Sequence, residues 1–107
     1  MVIQGTIMTK RFKIVKVNSG FHPVMNVIIN GITVQALIDT GANVSCHNLF
    51  GEKTIEAYLR IDEIVFQGYL PYYNIPGGYK LIIGSDLLLK TDATIDYKLK
   101  ELTLRAV

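Results

Sequence analysis

The sequence predicts an all-β domain with one short helix near its carboxyl end, and three observations indicate this fold class. Short segments rich in β-branched residues recur along the chain, and several alternate apolar with polar residues, the period of a half-buried strand. Turn-forming residues separate these segments, most clearly Asn30-Gly31, which tolerates the positive φ angles of a tight hairpin turn. The chain has no linker, low-complexity segment or charge block, so we expect a single domain over residues 1–107.

The first part of the chain predicts three strands that lead to a carboxylate. Residues 11–17 (RFKIVKV) alternate basic and apolar side chains, and Asn18-Ser19-Gly20 ends that strand. Residues 24–29 (VMNVII) and 32–38 (ITVQALI) flank the Asn-Gly turn as a predicted hairpin. The second strand of this hairpin therefore delivers Asp39 to a strand end.

The second part of the chain predicts further strands and the helix. Residues 52–59 (EKTIEAYL) are compatible with either a short helix or a strand. Ser85 and Asp86 are favourable capping residues for a helix over residues 87–90. The remaining patterns predict strands over residues 63–70, 72–75, 80–83, 93–97 and 101–105, the last two joined across Lys98-Leu99-Lys100.

Composition narrows the functional classes. Half of the residues are apolar, yet no apolar run approaches the roughly 18 residues of a membrane span, so we expect no membrane partner. The net charge is +2, and the basic residues alternate with acids and apolar groups, so we expect no nucleic-acid partner. The single cysteine, Cys46, excludes an internal disulfide and indicates a reducing compartment such as the cytoplasm. The first residues lack a signal-peptide apolar core, so secretion is not expected.

Asp39-Thr40-Gly41 is the candidate catalytic element. A strongly apolar strand places the Asp39 carboxylate at a structured position, and Gly41 lets the backbone turn sharply and another segment approach. The tripeptide alone is also compatible with an ordinary turn after a strand, because Asp and Gly both favour turns. Its context decides between the two interpretations.

That context resembles the retropepsin family of aspartic proteases. The stretch NVIINGITVQALIDTGANVS resembles the family's hairpin, apolar strand and D-T-G-A, with a Ser four residues after Gly41. LIIGSDLLL resembles the second family signature, and ATIDY the closing element. Among the members, the sequence is most similar to proteases of plant pararetroviruses, the caulimovirus, badnavirus and tungrovirus group. The resemblance implies a closed acid-protease barrel, a symmetric homodimer, and a viral polyprotein segment in the host-cell cytoplasm.

The chemistry of the family explains why two copies are expected. Two facing carboxylates share one proton, because close like charges do not both ionise cheaply. One carboxylate then acts as general base on a water and the other as general acid. This chain has a single D-T-G, and Asp86, Asp92 and Asp96 lie in other contexts. We therefore expect Asp39 and its copy to meet on a two-fold axis.

The resemblance also implies roles for neighbouring positions. Thr40 is expected to hydrogen-bond across the dimer axis, and Gly41 to offer its carbonyl to the substrate backbone. The cleft is expected to be lined by Ala42 and Asn43 as well. Support of the catalytic loop falls to Ile83, Gly84 and Asp86. The implied substrate is a peptide or polyprotein, and the family implies neither metal nor cofactor.

Two features depart from the family pattern. Many retroviral members have an Arg after the Gly of the second signature, and Ser85 stands there in this chain, so that ionic brace is absent. Retropepsins also cover the cleft with a Gly-rich hairpin, whereas residues 50–61 contain a single Gly. We expect a flap that is short or absent. The site should then be open, with weak peptide binding and slow turnover.

Alternatives to this interpretation involve other residues and other functions. Cys46 and His47 are adjacent on a strand and should point to opposite faces, so a Cys-His nucleophile is not expected. These residues and His22 do not form a zinc pattern. The functional alternatives are a catalytically silent retropepsin-like domain that dimerises or binds peptides, and a retrotransposon or cellular retroviral-like protease. Four tyrosines either pack in the sheet or line substrate pockets: Tyr69, Tyr72, Tyr73 and Tyr79.

Overall fold

The computed structural model describes residues 2–106 and consists mainly of strands, with one short helix. The strands are β1 (Val2–Gln4), β2 (Ile7–Arg11), β3 (Lys13–Val17), β4 (Gly20–Ile29), β5 (Ile32–Ile38), β6 (Cys46–His47), β7 (Ile55–Ile61), β8 (Ile64–Leu70), β9 (Leu81–Ile83), β10 (Thr94–Asp96) and β11 (Glu101–Arg105). Helix α1 spans Ser85–Lys90, and a 3-10 turn spans Pro76–Gly78.

The larger sheet closes on itself. Its strand order is β1-β8-β7-β4-β5-β9-β6, with β3 paired to β4 outside this path. The last strand, β6, meets the extension of β8 through a bridge between His47 and Tyr72. The His47 amide donates to the Pro71 carbonyl and the Tyr73 amide donates to the His47 carbonyl, each at 3.0 Å. This seam joins β6 to the segment after β8 and completes a barrel.

The second sheet has three strands in the order β10-β11-β2 and carries the two ends of the described chain region toward each other. The main core is apolar and fully enclosed; among its members, Ile29, Ala36, Leu59, Ile64 and Phe66 expose 1% or less of their surface. Burial of such side chains is the main stabilising contribution to a domain of this size. No helix in residues 2–106 has the length and apolar character to cross a bilayer.

The strand predictions are largely confirmed. The predicted strands over residues 32–38 and 101–105 have the observed bounds of β5 and β11. The ambiguous segment is a strand, β7, because Ile55, Ala57, Leu59 and Ile61 alternate buried positions with exposed ones.

Three local predictions are wrong. Residues 72–75 form no strand beyond the single Tyr72 bridge, and the flanking prolines cannot donate to a ladder. The predicted strand over residues 11–17 is divided at Phe12, whose amide donates instead to the Lys100 carbonyl at 2.9 Å. Helix α1 begins at Ser85 with Gly84 as its N-cap residue, so the predicted side-chain cap by Ser85 and Asp86 is not used.

Of the interval 50–61, where the family has its flap, residues 50–54 form no strand and residues 55–61 form β7, which pairs with β8 in the barrel. Residues 48–54 form a loop of bends between β6 and β7. The buried His47 ring binds this loop at both nitrogens: Nε2 lies 2.7 Å from the Lys53 carbonyl oxygen, and Nδ1 accepts the Leu49 amide at 3.2 Å. This pattern requires Nε2 to donate and Nδ1 to accept. The loop is therefore folded onto His47 and does not extend as a hairpin.

Candidate active site

Asp39 follows β5 directly, beside the end of the parallel strand β9. The end of β5 is buried, with Ala36, Leu37 and Ile38 exposing 2% or less. The neighbouring parallel strand β9 also holds Asp39 in place, since the Asp39 amide donates to the Ile83 carbonyl at 2.9 Å. The carboxylate therefore extends from a rigid part of the barrel.

The loop after Asp39 holds the carboxylate in one orientation. The Gly41 amide donates to Asp39 Oδ1 at 3.0 Å, and the Ala42 amide donates to the Asp39 carbonyl at 3.2 Å. The Asp39 side chain remains 28% exposed. It is thus fixed by its own loop and still accessible to solvent.

Gly84 allows the second signature to approach this loop. A Cβ at this position would lie 2.6 Å from the Ala42 carbonyl oxygen, well inside contact distance. The next residue uses the approach, since the Ser85 amide donates to that same carbonyl at 2.7 Å. The need for glycine here is steric and arises from the close packing of two backbone segments.

A buried serine connects the loop to helix α1. Ser45 is 1% exposed, and its hydroxyl donates to Asp86 Oδ1 at 2.7 Å while accepting the Gly84 amide at 2.9 Å. The Ser45 amide also donates to both Asp86 oxygens, at 3.0 and 3.1 Å. Hydrogen bonds to a charged group are stronger than neutral ones. We call these three residues the Ser45 clamp; it joins loop and helix in a chain where the Arg brace is replaced by Ser85.

An open cavity of about 490 Å³ lies beside the carboxylate. Its apolar floor includes Leu37, Cys46 and Ile82. Of the residues expected at the site, Asp39, Ala42 and Asn43 line the cavity, Thr40 and Gly41 are exposed on the same loop, and Ile83, Gly84 and Asp86 lie behind it.

Of the four tyrosines, two line the cavity and two do not. Tyr72 and Tyr73 line the cavity together with Pro71. Tyr69 does not line it and is 72% exposed, and Tyr79 packs against a second apolar cluster that contains Val17. Of these four residues, Tyr72 and Tyr73 therefore belong to the candidate site.

His22 is a site residue that the sequence analysis did not identify. It lies on β4 and lines the cavity, with Nδ1 3.9 Å from Asp39 Oδ1. A signal for it existed in the Asn30-Gly31 turn. That turn fixes the β4–β5 register, which pairs Val24 with Leu37, and two further residues of the same register place His22 opposite Asp39.

Cys46 is buried at the cavity floor as a structural residue. Burial raises the pKa of its thiol, and the negative charges of Asp86 and then Asp39 add to that effect. The protonated thiol is a poor nucleophile. His47 binds Lys53 and Leu49, so the two adjacent residues form no catalytic pair. Within residues 2–106, no group of three or more His, Cys, Asp or Glu side chains is placed to hold a metal ion.

Comparisons with known proteins address the fold. No protein-family model and no curated protein sequence matches the chain. The retroviral protease-like domain of Ddi1 from Leishmania major is similar in structure, with a TM-score of 0.56 and 22% identity over 70% of this chain and 79% of that one. A retropepsin-like aspartic protease from Rickettsia conorii gives a TM-score of 0.60 and 17% identity over 96% and 94% of the two chains.

These comparisons confirm the expected fold class: the chain has a retropepsin-like fold. At identities of 22% and 17%, they concern the fold and leave the resemblance to plant pararetroviral proteases a prediction. One chain supplies one D-T-G carboxylate to the cavity.

Proposed function

We propose that this chain is one protomer of a homodimeric aspartic endopeptidase, in which Asp39 and its copy activate a water for peptide hydrolysis. The observation that carries the proposal is the Asp39 carboxylate, fixed by the Gly41 amide at 3.0 Å and exposed to a cavity of about 490 Å³ in a retropepsin-like fold. A domain that only binds peptides has no need of a carboxylate held in this way.

In the proposed reaction, the two carboxylates share one proton across the dimer axis. The ionised carboxylate takes a proton from the bridging water, whose oxygen attacks the scissile carbonyl carbon. The protonated carboxylate donates its proton to the carbonyl oxygen. The tetrahedral intermediate then collapses with proton transfer to the leaving amine. The fixed orientation of Asp39 lowers the cost of arranging these groups.

The exposed surface around the loop supports pairing with a second copy. Thr40 is exposed, as a residue that meets its own copy across an axis must be in the separate protomer. Two apolar side chains are also exposed, Val44 on the same loop by 54% and Leu89, three residues after Asp86 in helix α1, by 80%. Covering apolar area of this kind favours association.

The proposed substrate is a viral polyprotein of which the chain is a segment, processed in the host-cell cytoplasm. The resemblance of the D-T-G and LIIGSD stretches to plant pararetroviral proteases supports this source. A retrotransposon polyprotein would have the same chemistry, and cleavage of matched junction peptides from the two sources distinguishes them.

Hydrolysis of peptides by the purified chain tests the proposal. We expect cleavage at acidic to neutral pH, inhibition by pepstatin, and a loss of at least about 10³-fold in kcat/KM for Asp39→Asn. Asp62→Asn is the matched control, since this exposed carboxylate pairs with Lys10 away from the cavity. Activity per chain should fall on dilution, in parallel with the dimer mass.

A dimer without peptidase activity would contradict the proposal. A wild-type chain that is dimeric by mass and cleaves no peptide between about pH 4 and 7 is not a peptidase of this class. If that chain still binds peptides, the catalytically silent binding domain is the correct interpretation.

A further inference from the structure

We infer that the β3–β4 hairpin takes the place of a flap as the substrate-contacting wall of the cleft, and that Asn18 and His22 select a Glu or Gln side chain of the peptide. We call residues 17–22 the hairpin tip. This inference rests on the proposed peptidase function and adds to it the substrate class and the residues that recognise it.

The lining of the cavity shows which segment replaces the flap. No residue of the 48–54 loop lines it, since that loop is folded onto His47. Three residues of the hairpin tip do line it: Val17, Asn18 and His22. A substrate in the cleft would therefore contact the hairpin tip on this side.

The hairpin tip is a fixed wall. Val17 is 8% exposed and packs in a cluster with Leu37, Cys46 and Ile82, which form the cavity floor. Asn18 occupies the first turn position with φ of 55°, a conformation that Asn tolerates better than most residues. The wall is thus anchored to the same apolar cluster that a substrate side chain would touch.

Gly20 makes room for the His22 ring. A Cβ on Gly20 would lie 3.0 Å from His22 Nε2, tighter than ordinary contact. The ring therefore lies close to Gly20 at the cavity edge, with 23% of its side chain exposed. A side chain at position 20 would displace it.

The polar groups of this wall are available for a ligand. In the described part of the chain, no hydrogen bond engages the Asn18 amide group or the His22 ring. Both carry N–H donors at the edge of a cavity whose floor is apolar. A peptide side chain that offers an acceptor oxygen satisfies them, and Glu and Gln have the length and the oxygen to do so.

The charged side chains near the hairpin tip also favour Glu over Lys in the peptide. Lys16 is the basic residue next to the hairpin tip, where it pairs with Phe21 on β4, whereas Lys10 lies on β2 and is paired with Asp62. The first acid of the chain is Asp39, which is committed to the reaction. The opposite wall, with Pro71, Tyr72, Tyr73 and Pro76, adds no charged side chain. A Glu side chain at the hairpin tip would therefore have a cationic neighbour in Lys16, whereas a Lys side chain would meet a like charge there.

Selectivity between otherwise identical peptides tests the inference. Glu, Gln, Leu and Lys are placed in turn at each of the positions flanking the scissile bond, and kcat/KM is measured for each peptide. We expect one position at which Glu and Gln exceed Lys by about 10-fold or more, as the loss or gain of a charge-assisted hydrogen bond implies. The double variant Asn18→Gly, His22→Ala should reduce that ratio to about 2-fold or less.

Two variants control for general effects on the enzyme. Lys98→Gln changes an exposed charge in the turn between β10 and β11, and Glu52→Gln changes an exposed charge in the 48–54 loop. Both should leave the Glu-to-Lys ratio unchanged. A ratio that survives the double variant, or that is lost in Glu52→Gln, overturns the inference.

A binding measurement separates this inference from the proposed function. An uncleaved Glu-containing peptide is added to Asp39→Asn, and backbone amide shifts are followed by NMR. We expect the largest shifts at the hairpin tip, larger than those of residues 48–54. The opposite order, or no shift at the hairpin tip, overturns the inference. If the hairpin tip shows these shifts but the wild-type chain cleaves no peptide, the tip contacts peptides as inferred and the proposed peptidase function is wrong.

Discussion

His22 on β4 lies opposite Asp39 at the end of β5, with 3.9 Å between Nδ1 and Oδ1. The pairing is a consequence of hairpin geometry, because the Asn30-Gly31 turn sets the register of both strands. An imidazole thus stands beside the carboxylate in each protomer, and a dimer would hold two of them. The surroundings of the proposed catalytic pair are determined by a turn that lies eight residues from each of these two side chains in sequence.

The Ser45 clamp should make a large contribution to stability. Ser45→Ala removes the hydroxyl that donates to Asp86 and leaves the buried Gly84 amide without its acceptor. We expect a loss of about 2–3 kcal/mol in the free energy of unfolding, measured by urea denaturation. Ser19→Ala, at an exposed hairpin turn, should change stability by less than about 0.5 kcal/mol. Equal effects of the two substitutions would contradict the role of the clamp.

Gly84→Ala should destabilise the protein through a steric conflict. The new methyl group would lie 2.6 Å from the Ala42 carbonyl oxygen, and the catalytic loop would have to move. We expect a loss of at least about 2 kcal/mol together with reduced activity. Gly31→Ala provides the comparison, because that site has open space and only a positive φ of 82°. It should lose about 1 kcal/mol and keep its activity.

Stability at alkaline pH should depend on Cys46. The pKa of this thiol is raised in the folded state above its ordinary value of 9.0, chiefly by burial. The protonated thiol therefore stabilises the fold fully below about pH 9, and this contribution is lost as the pH rises through the folded-state pKa. Urea denaturation at a series of pH values from neutral to alkaline should show a steeper decline for the wild type than for Cys46→Ala. If stability falls equally with pH in both proteins, ionisation of Cys46 does not contribute to alkaline unfolding.

His47 should control the order of the 48–54 loop. His47→Phe keeps a ring in the buried site but removes the bonds to the Lys53 carbonyl and the Leu49 amide. We expect faster hydrogen exchange of the loop amides and a loss of about 2 kcal/mol or more in stability. His22→Phe, on the partly exposed cleft wall, should leave the exchange of this loop unchanged. Unaltered exchange in His47→Phe would show that the loop is held by its other contacts.

Local patterns in the sequence predicted much of the fold. Strand β5 and the Asn30-Gly31 turn have strong local signals, and both lie where the pattern placed them. The position of Asp39 at the end of β5 followed from these two elements. The retropepsin-like fold followed from three ordered signatures, and the structural comparison confirms it.

Other features depend on contacts that no local pattern encodes. Strands β1 and β2 were not predicted, because each is defined by its partner: β1 pairs with β8 and β2 with β11. Asp86 looked like a helix cap, but its carboxylate binds Ser45, 41 residues away in sequence. The cavity wall formed by Asn18 appeared only when the hairpin was placed beside the catalytic loop.

The barrel seam has a consequence for how the protein would lose activity. It rests on a two-residue strand and a single bridge between His47 and Tyr72, so it is among the shortest connections of the ring. Tyr72 and Pro71 on one side of the seam, and Cys46 on the other, also form part of the cavity. A local opening of the seam would therefore dismantle the cleft while the long β4–β5 and β7–β8 hairpins stay folded. Thermal inactivation would then precede global unfolding, and cooling would restore the site without refolding the domain.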